Sequence, residues 1–105
     1  MHATLRRYEG VDRERTDELT ELVTDSLLPR MGELPGFKGY YLIEAGDGIM
    51  TSISLFDTSA QADESTRVAS TWVREHELES ALPNPPKLTS GPVTAHKTER
   101  LVAAV

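Results

Sequence analysis

Apolar residues recur along this chain with two different spacings, and the changes between them mark its elements. Ala3 to Tyr8 forms a short, weakly alternating stretch and predicts a first strand. Gly10 and Asp12 follow, and Asp12 is an N-cap residue type that signals a helix start. Thr16, Leu19, Leu22, Val23, Ser26 and Leu27 then recur in steps of three and four, which places one apolar stripe on a helix. Arg13, Glu14, Arg15, Asp17, Glu18, Glu21 and Asp25 fill its other face. Pro29 predicts an end or a kink near Leu28, because proline has no N–H to donate.

Gly32 to Gly36 is loop chemistry. Phe37 to Ala45 reads as a strand, Gly46-Asp47-Gly48 as a hairpin turn, and Ile49 to Phe56 as the returning strand. Thr58 with Gln61 three residues later forms a capping-box pattern, predicting a second helix from about Ser59 to about Glu77. Pro83-Asn84-Pro85-Pro86 predicts a rigid connector. Val93 to Lys97 lies in the last strand candidate, and the apolar tail Arg100 to Val105 is a segment that could dock on a partner subunit. The order is strand, helix, hairpin, helix, strand, without internal repeats.

The hairpin carries an inference about assembly. With Asp47-Gly48 as a two-residue turn, Leu42 faces Ile53 and Tyr40 faces Leu55 on one side. Phe37, Tyr41, Ile43, Met50 and Phe56 occupy the other. Both faces are then apolar, whereas a sheet with one wet face is polar on that side. A β-α-β-β-α-β chain lays both helices on one face, so a second copy is expected to cover the other.

Composition narrows the function classes. The chain has 105 residues, which fits one domain spanning 1–105, and its 27% charged residues are ordinary for a globular protein. A net charge of −6 disfavours nucleic acid and anionic membrane surfaces as partners. No apolar run approaches the roughly 20 residues that span a bilayer, and the N-terminus has no hydrophobic signal core, so a cytoplasmic location is expected by default. With no cysteine there is no thiolate metal site or cysteine nucleophile. His2 and His96 make a poor metal site without a third ligand fixed by spacing, so no metal is expected.

Leu34-Pro35-Gly36-Phe37, Tyr40-Tyr41-Leu42, the Gly-Asp-Gly turn and Ser52 to Thr58 together resemble the dimeric α+β barrel superfamily. Within it, the antibiotic biosynthesis monooxygenase-like domains are the match, including a second helix bearing Ala, Glu and Trp, here Ala60 to Val73. The resemblance implies an α+β, ferredoxin-like β-α-β-β-α-β fold with a four-stranded antiparallel sheet, assembled as a homodimer. It implies no single activity, because the superfamily holds cofactor-free oxygenases, haem-degrading enzymes, isomerases and proteins without known activity. The haem-degrading branch uses an Asn on the first strand, and His2 to Gly10 contains none.

Trp72 and His76 are four apart and share a helix face, with small residues Ala62, Ser65 and Ala69 earlier on the same stripe. Together they could hold a flat aromatic ligand, with His76 as a general base near neutral pH. Equally, Trp72 serves as a core anchor and His76 as a helix C-terminal residue favoured by the dipole. Tyr40 and Tyr41 point to opposite faces, so one can line a pocket. Asn84 can cap loop backbone or reach into a cleft. Two functions stay open: a cofactor-free, monooxygenase-like enzyme acting on a flat aromatic or enolic substrate, and a non-catalytic ligand-binding module of the same fold.

Overall fold

Burial alternates along Ile49–Phe56 without a break: Met50, Ser52, Ser54 and Phe56 are buried, and the residues between them are partly exposed. That strand, β3, pairs with β1 (His2–Tyr8) on one side and β2 (Phe37–Gly46) on the other. A fourth strand, β4 (Lys87–Pro92), pairs with β1, giving one antiparallel sheet of order β2-β3-β1-β4. The computed structural model describes residues 1–98. The tail Arg100 to Val105, expected as a docking segment, lies outside the described residues.

The helices lie in the two long connections. Between β1 and β2 run a 3-10 turn (Arg13–Arg15), α1 (Thr16–Leu22), a π-turn (Val23–Leu27) and α2 (Leu28–Gly32). Asp12 caps the entry, its side chain accepting from the Glu14 N–H at 3.0 Å. Between β3 and β4 runs α3 (Ser59–Glu75), followed by a 3-10 turn at Leu78–Ser80. The capping box at its start is complete: Thr58 Oγ1 accepts from Gln61 N at 3.2 Å, and Gln61 Oε1 accepts from Thr58 N at 3.1 Å. No helix among the described residues is long and apolar enough to cross a membrane. Leu19, Val23, Leu27 and Met31 from the first connection and Ala62, Ala69 and Trp72 from α3 form the core against the buried side of the sheet.

Three expectations are corrected. Of the end or kink expected at Pro29, the end does not occur: the helical path is interrupted by the π-turn and resumes as α2, with Pro29 in its first turn. A proline ring clashes with the carbonyl four residues back and cannot donate to it, and the wider π geometry relieves both problems. The last strand is Lys87–Pro92, not Val93 to Lys97. Its register is set by pairing with β1, and beyond it only the Val93 N–H continues the ladder, to the Met1 carbonyl at 2.9 Å.

The third correction concerns the hairpin faces. Asp47-Gly48 is indeed a two-residue turn with both φ positive, flanked by the pair Gly46–Ile49. The next pair is Glu44–Met50, so Ala45 is an extra residue, a bulge in β2. One inserted residue moves every following side chain to the opposite face. Tyr41 therefore pairs with Ile53, and Tyr40 and Leu42 pair with Ser54 and Ser52. Met50 and Phe56 lie under the helices, and a second register shift between Phe37 and Gly39 returns Phe37 to that face, where it packs against Phe56 edge to face with ring centroids 5.7 Å apart. The uncovered face carries Leu5, Tyr41, Ile43, Ile53 and Leu55, with Tyr41 56% and Ile43 44% exposed. The apolar second face persists with a different membership.

Thr58→Ala removes the acceptor of the capping box. It is expected to lower stability by about 1 kcal/mol, read from the urea midpoint, with Thr58→Ser close to wild type.

Candidate functional site

Small residues on α3 and polar residues on the sheet leave room between the layers. On the buried face β1 contributes Thr4, Arg6 and Tyr8, and β3 contributes Ser52 and Ser54. Opposite them α3 presents Ala62, Ser65 and Ala69. The Arg6 guanidinium extends into this space. Its nitrogens donate to Ser54 Oγ at 3.2 Å, Ser65 Oγ at 3.4 Å and Thr66 Oγ1 at 2.6 Å. Its Nε has no partner, and the side chain is only 2% exposed. None of the ion pairs among the described residues includes Arg6. Burial pushes its pKa down, opposed by the nearby Tyr8 and Tyr40 hydroxyls. Arginine nevertheless stays charged in proteins, so this is a buried cation solvated by hydroxyl groups alone.

Two cavities meet at Arg6. The inner one, of about 40 Å³, lies between the sheet and both helical layers. Tyr40, Leu42, Leu19, Val23 and Trp72 form its predominantly apolar wall. The outer one is an open vestibule of about 500 Å³ between α3, β4 and the proline connector. Ser70, Arg74, Glu79, Asn84 and Leu88 line it. Arg6, Tyr8, Val73 and Leu82 belong to both and form the shared wall. Burial raises the pKa of Tyr8 and of Tyr40, and the Arg6 charge opposes the rise in each; a hydrogen bond with Ser52 also opposes it for Tyr40. Both phenols are thus neutral at pH 7, fit to donate a hydrogen bond rather than to remove a proton.

The residues expected from sequence fall in different places. Trp72 is 2% exposed and lines the inner cavity, so it is core anchor and cavity wall together. Tyr40 lines the same cavity, while Tyr41 stands on the far face of the sheet. Asn84 lines the vestibule and also donates from Nδ2 to the Glu9 carbonyl at 3.0 Å, tying the connector to the end of β1. Gly10 permits this approach, since a Cβ there would lie 2.7 Å from Asn84 Nδ2.

His76 is the C-cap of α3 and lines neither cavity. Its Nδ1 lies 3.0 Å from the Trp72 carbonyl, which can only accept, so Nδ1 carries the proton. The Trp72 Nε1–H donates to Ser26 Oγ at 2.9 Å, and that hydroxyl lies 3.5 Å from His76 Nε2. The rings of Trp72 and His76 are 4.8 Å apart. The lone pair of His76 thus faces Ser26, which the π-turn presents, and not the cavity. His2 Nε2 contacts Ser90 Oγ at 2.9 Å, and among the described residues no cluster of three potential metal ligands forms.

Sequence reasoning missed Arg6 and Tyr8. Alternation along β1 was the available signal, since Thr4, Arg6 and Tyr8 share one face. The adjacent Arg6-Arg7 pair reads as two solvated charges, and only the tertiary structure shows that one of them is buried.

No family model matches the chain, and no curated protein matches it. Solved structures do. A putative antibiotic biosynthesis monooxygenase from Nitrosomonas europaea superposes with a TM-score of 0.72 at 15% identity, covering 90% of this chain and 100% of that one. The chain shares the fold of the antibiotic biosynthesis monooxygenase-like proteins. A monooxygenase from the ActVA-Orf6 gene of Streptomyces coelicolor, in complex with nanaomycin D, gives 0.68 at 20% identity, covering 93% and 92%. A dimeric ferredoxin-like protein from an uncultured marine organism gives 0.64 at 11% identity, covering 93% and 97%.

Two measurements check this geometry. Ser26→Ala leaves the buried Trp72 N–H unpaired and is expected to destabilise by about 1–3 kcal/mol in urea denaturation. In alkaline titration followed at 295 nm, Tyr8 and Tyr40 are expected to ionise above the ordinary phenol value near 10. Their folded pKa values are raised, so the stability they contribute is present below about pH 10 and is lost as pH rises through the raised values. Tyr8→Phe or Tyr40→Phe removes part of that alkaline loss.

Proposed function

We propose that the chain binds a flat aromatic or enolic molecule in the vestibule, edge-on to the Arg6–Tyr8 wall, and acts on it as a cofactor-free, monooxygenase-like enzyme. The vestibule carries this reading. Its volume of about 500 Å³ is that of an organic-ligand site, and it opens onto an apolar wall with a few convergent polar groups. The inner cavity of about 40 Å³ is too small for an aromatic ring and suits a small apolar molecule such as dioxygen. The likeness in fold to a monooxygenase crystallised with nanaomycin D supports the same choice of ligand class.

The chemistry needs no group beyond substrate and dioxygen. A methylene group conjugated with a carbonyl through the ring, as in an anthrone, loses one proton to a base and gives an enolate. The enolate passes one electron to dioxygen, the carbon radical and superoxide combine as a peroxide anion, and this takes the proton back from the base to give the hydroperoxide. Loss of water leaves a new carbonyl, so one substrate and one dioxygen give one quinone and one water. The neutral Tyr8 hydroxyl and the Arg6 charge, both in the vestibule wall, favour the enolate. His76, whose lone pair is turned to Ser26, is not placed to take the proton, and Glu79 is the carboxylate lining the vestibule. The position of His76 favours a second reading, a ligand-binding module without catalysis.

We propose also that a second copy covers the uncovered sheet face. Leu5, Tyr41, Ile43, Ile53 and Leu55 form an apolar patch there, and burying each large side chain contributes roughly 1.5–3 kcal/mol.

Oxygen consumption with anthrones and hydroxynaphthalenes, alongside quenching of the sole tryptophan, Trp72, tests the first proposal. Uptake matched by quinone formation, reduced at least tenfold by Ser70→Trp in the vestibule, is the expected result. Binding without uptake establishes the module reading, and uptake unchanged in Ser70→Trp contradicts the site. For the second proposal, light scattering is expected to give a dimer that Ile53→Glu converts to monomer. A monomeric wild type at micromolar concentration contradicts it.

A further inference from the structure

The chain carries 17 acidic residues, and among the described ones none forms an ion pair with its most buried cation. We propose that Arg6 is an anion anchor: the ligand of this site enters as an anion, bearing a carboxylate or an ionised phenol or enol oxygen that pairs with the Arg6 guanidinium. This rests on the reading that the vestibule binds an organic ligand, and it names the charge that ligand must carry.

Four observations converge. Arg6 is 2% exposed, and a charge taken out of water without a counter-charge is strongly disfavoured unless something else compensates it. Its partners are three hydroxyl groups, which solvate the charge without neutralising it. Its Nε–H is buried without a partner, so the fold's own groups leave the guanidinium incompletely satisfied. Finally, Arg6 lies in the wall shared by both cavities, so a ligand ring in the vestibule places a ring substituent against it. A purely structural arginine would be expected to have a carboxylate beside it, as Arg30 has Glu75 at 3.2 Å.

Nearby groups fit an anion as well. Tyr8, in the vestibule wall, stays protonated, so its hydroxyl can donate to an anionic oxygen rather than repel it. Arg74, whose guanidinium donates to Thr71 Oγ1 at 3.4 Å and has no ion pair among the described residues, puts a second positive charge in the vestibule lining. Glu79 lines the vestibule too, but does not line the inner cavity and has no hydrogen bond to Arg6. A planar guanidinium suits a carboxylate in two-point contact, a geometry lysine cannot supply.

The test uses the full chain and three probes of the same ring size: 2-naphthoate, 2-naphthamide and 2-naphthol. Binding is read by Trp72 fluorescence at pH 7 and at fixed salt. Wild type is expected to bind naphthoate at least tenfold more tightly than naphthamide. Arg6→Met is expected to keep the circular dichroism and at least the wild-type Tm, because an apolar side chain of similar volume replaces an uncompensated charge. It is also expected to lose the tenfold preference, while Arg6→Lys retains part of it. Equal affinities in wild type, or a preference that survives in Arg6→Met, overturn the proposal. If Arg6→Met does not fold, the Arg6 Nε–H resonance in wild type decides: a shift with naphthoate and none with naphthamide supports the anchor, and no shift with either overturns it. An absence of oxygen uptake alone leaves the anchor standing. If none of the three probes binds, the vestibule reading fails, and the anchor fails with it.

Discussion

A single inserted residue, Ala45, decides which side chains in the middle of β2 meet the helices. The turn at Asp47-Gly48 alone would set Leu42 against Ile53. The bulge shifts β2 by one residue, so Tyr40 and Leu42 turn under the helices and Tyr41 and Ile43 turn away. The consequences run through the rest of the molecule. Tyr40 reaches the inner cavity, and Tyr40 and Leu42 come to lie beside the buried Ser54 and Ser52 of β3. The uncovered face collects Tyr41, Ile43, Ile53 and Leu55, and the proposal of a covering second copy rests on that list.

Between the layers, side-chain size and polarity divide the space. At one end Leu27, Met31 and Phe56 pack as an ordinary core. In the middle, serines on β3 and small residues on α3 stand where large apolar residues would normally meet. The Arg6 guanidinium occupies part of that gap, and the inner cavity lies beside it. The same small residues that lower apolar burial there make it possible to hold a charge in the interior. Such a trade of stability for chemistry is expected of a functional site rather than of a pure scaffold.

Local signals made much of the fold legible in the sequence. The three-and-four spacing from Thr16 to Leu27, the Thr58–Gln61 capping box and the Asp47-Gly48 turn each act within a few residues, and each appears in the structure. What was not legible depends on distant partners. Lys87 to Pro92 has a weak strand composition and becomes a strand because β1 offers it a ladder. The bulge at Ala45 leaves no distinctive residue type behind. Arg6 looks like half of a solvated pair until α3 is placed above it. The pairing of Trp72 and His76 on one helix face was readable, but the role of Ser26 in holding them was not. Nor could the sequence show that this bond turns the acceptor nitrogen of His76 away from the cavity.

The central claim is that the ligand site lies between α3 and the sheet, at the Arg6 wall, and not on the opposite face. The most direct test is to map 2-naphthoate by intermolecular nuclear Overhauser effects on isotope-labelled protein. The account predicts contacts from the naphthalene ring to the Val73, Leu82 and Leu88 methyl groups, with a shift of the Arg6 side chain. Contacts confined to Tyr41, Ile43 and Ile53, with Arg6 unmoved, would contradict it.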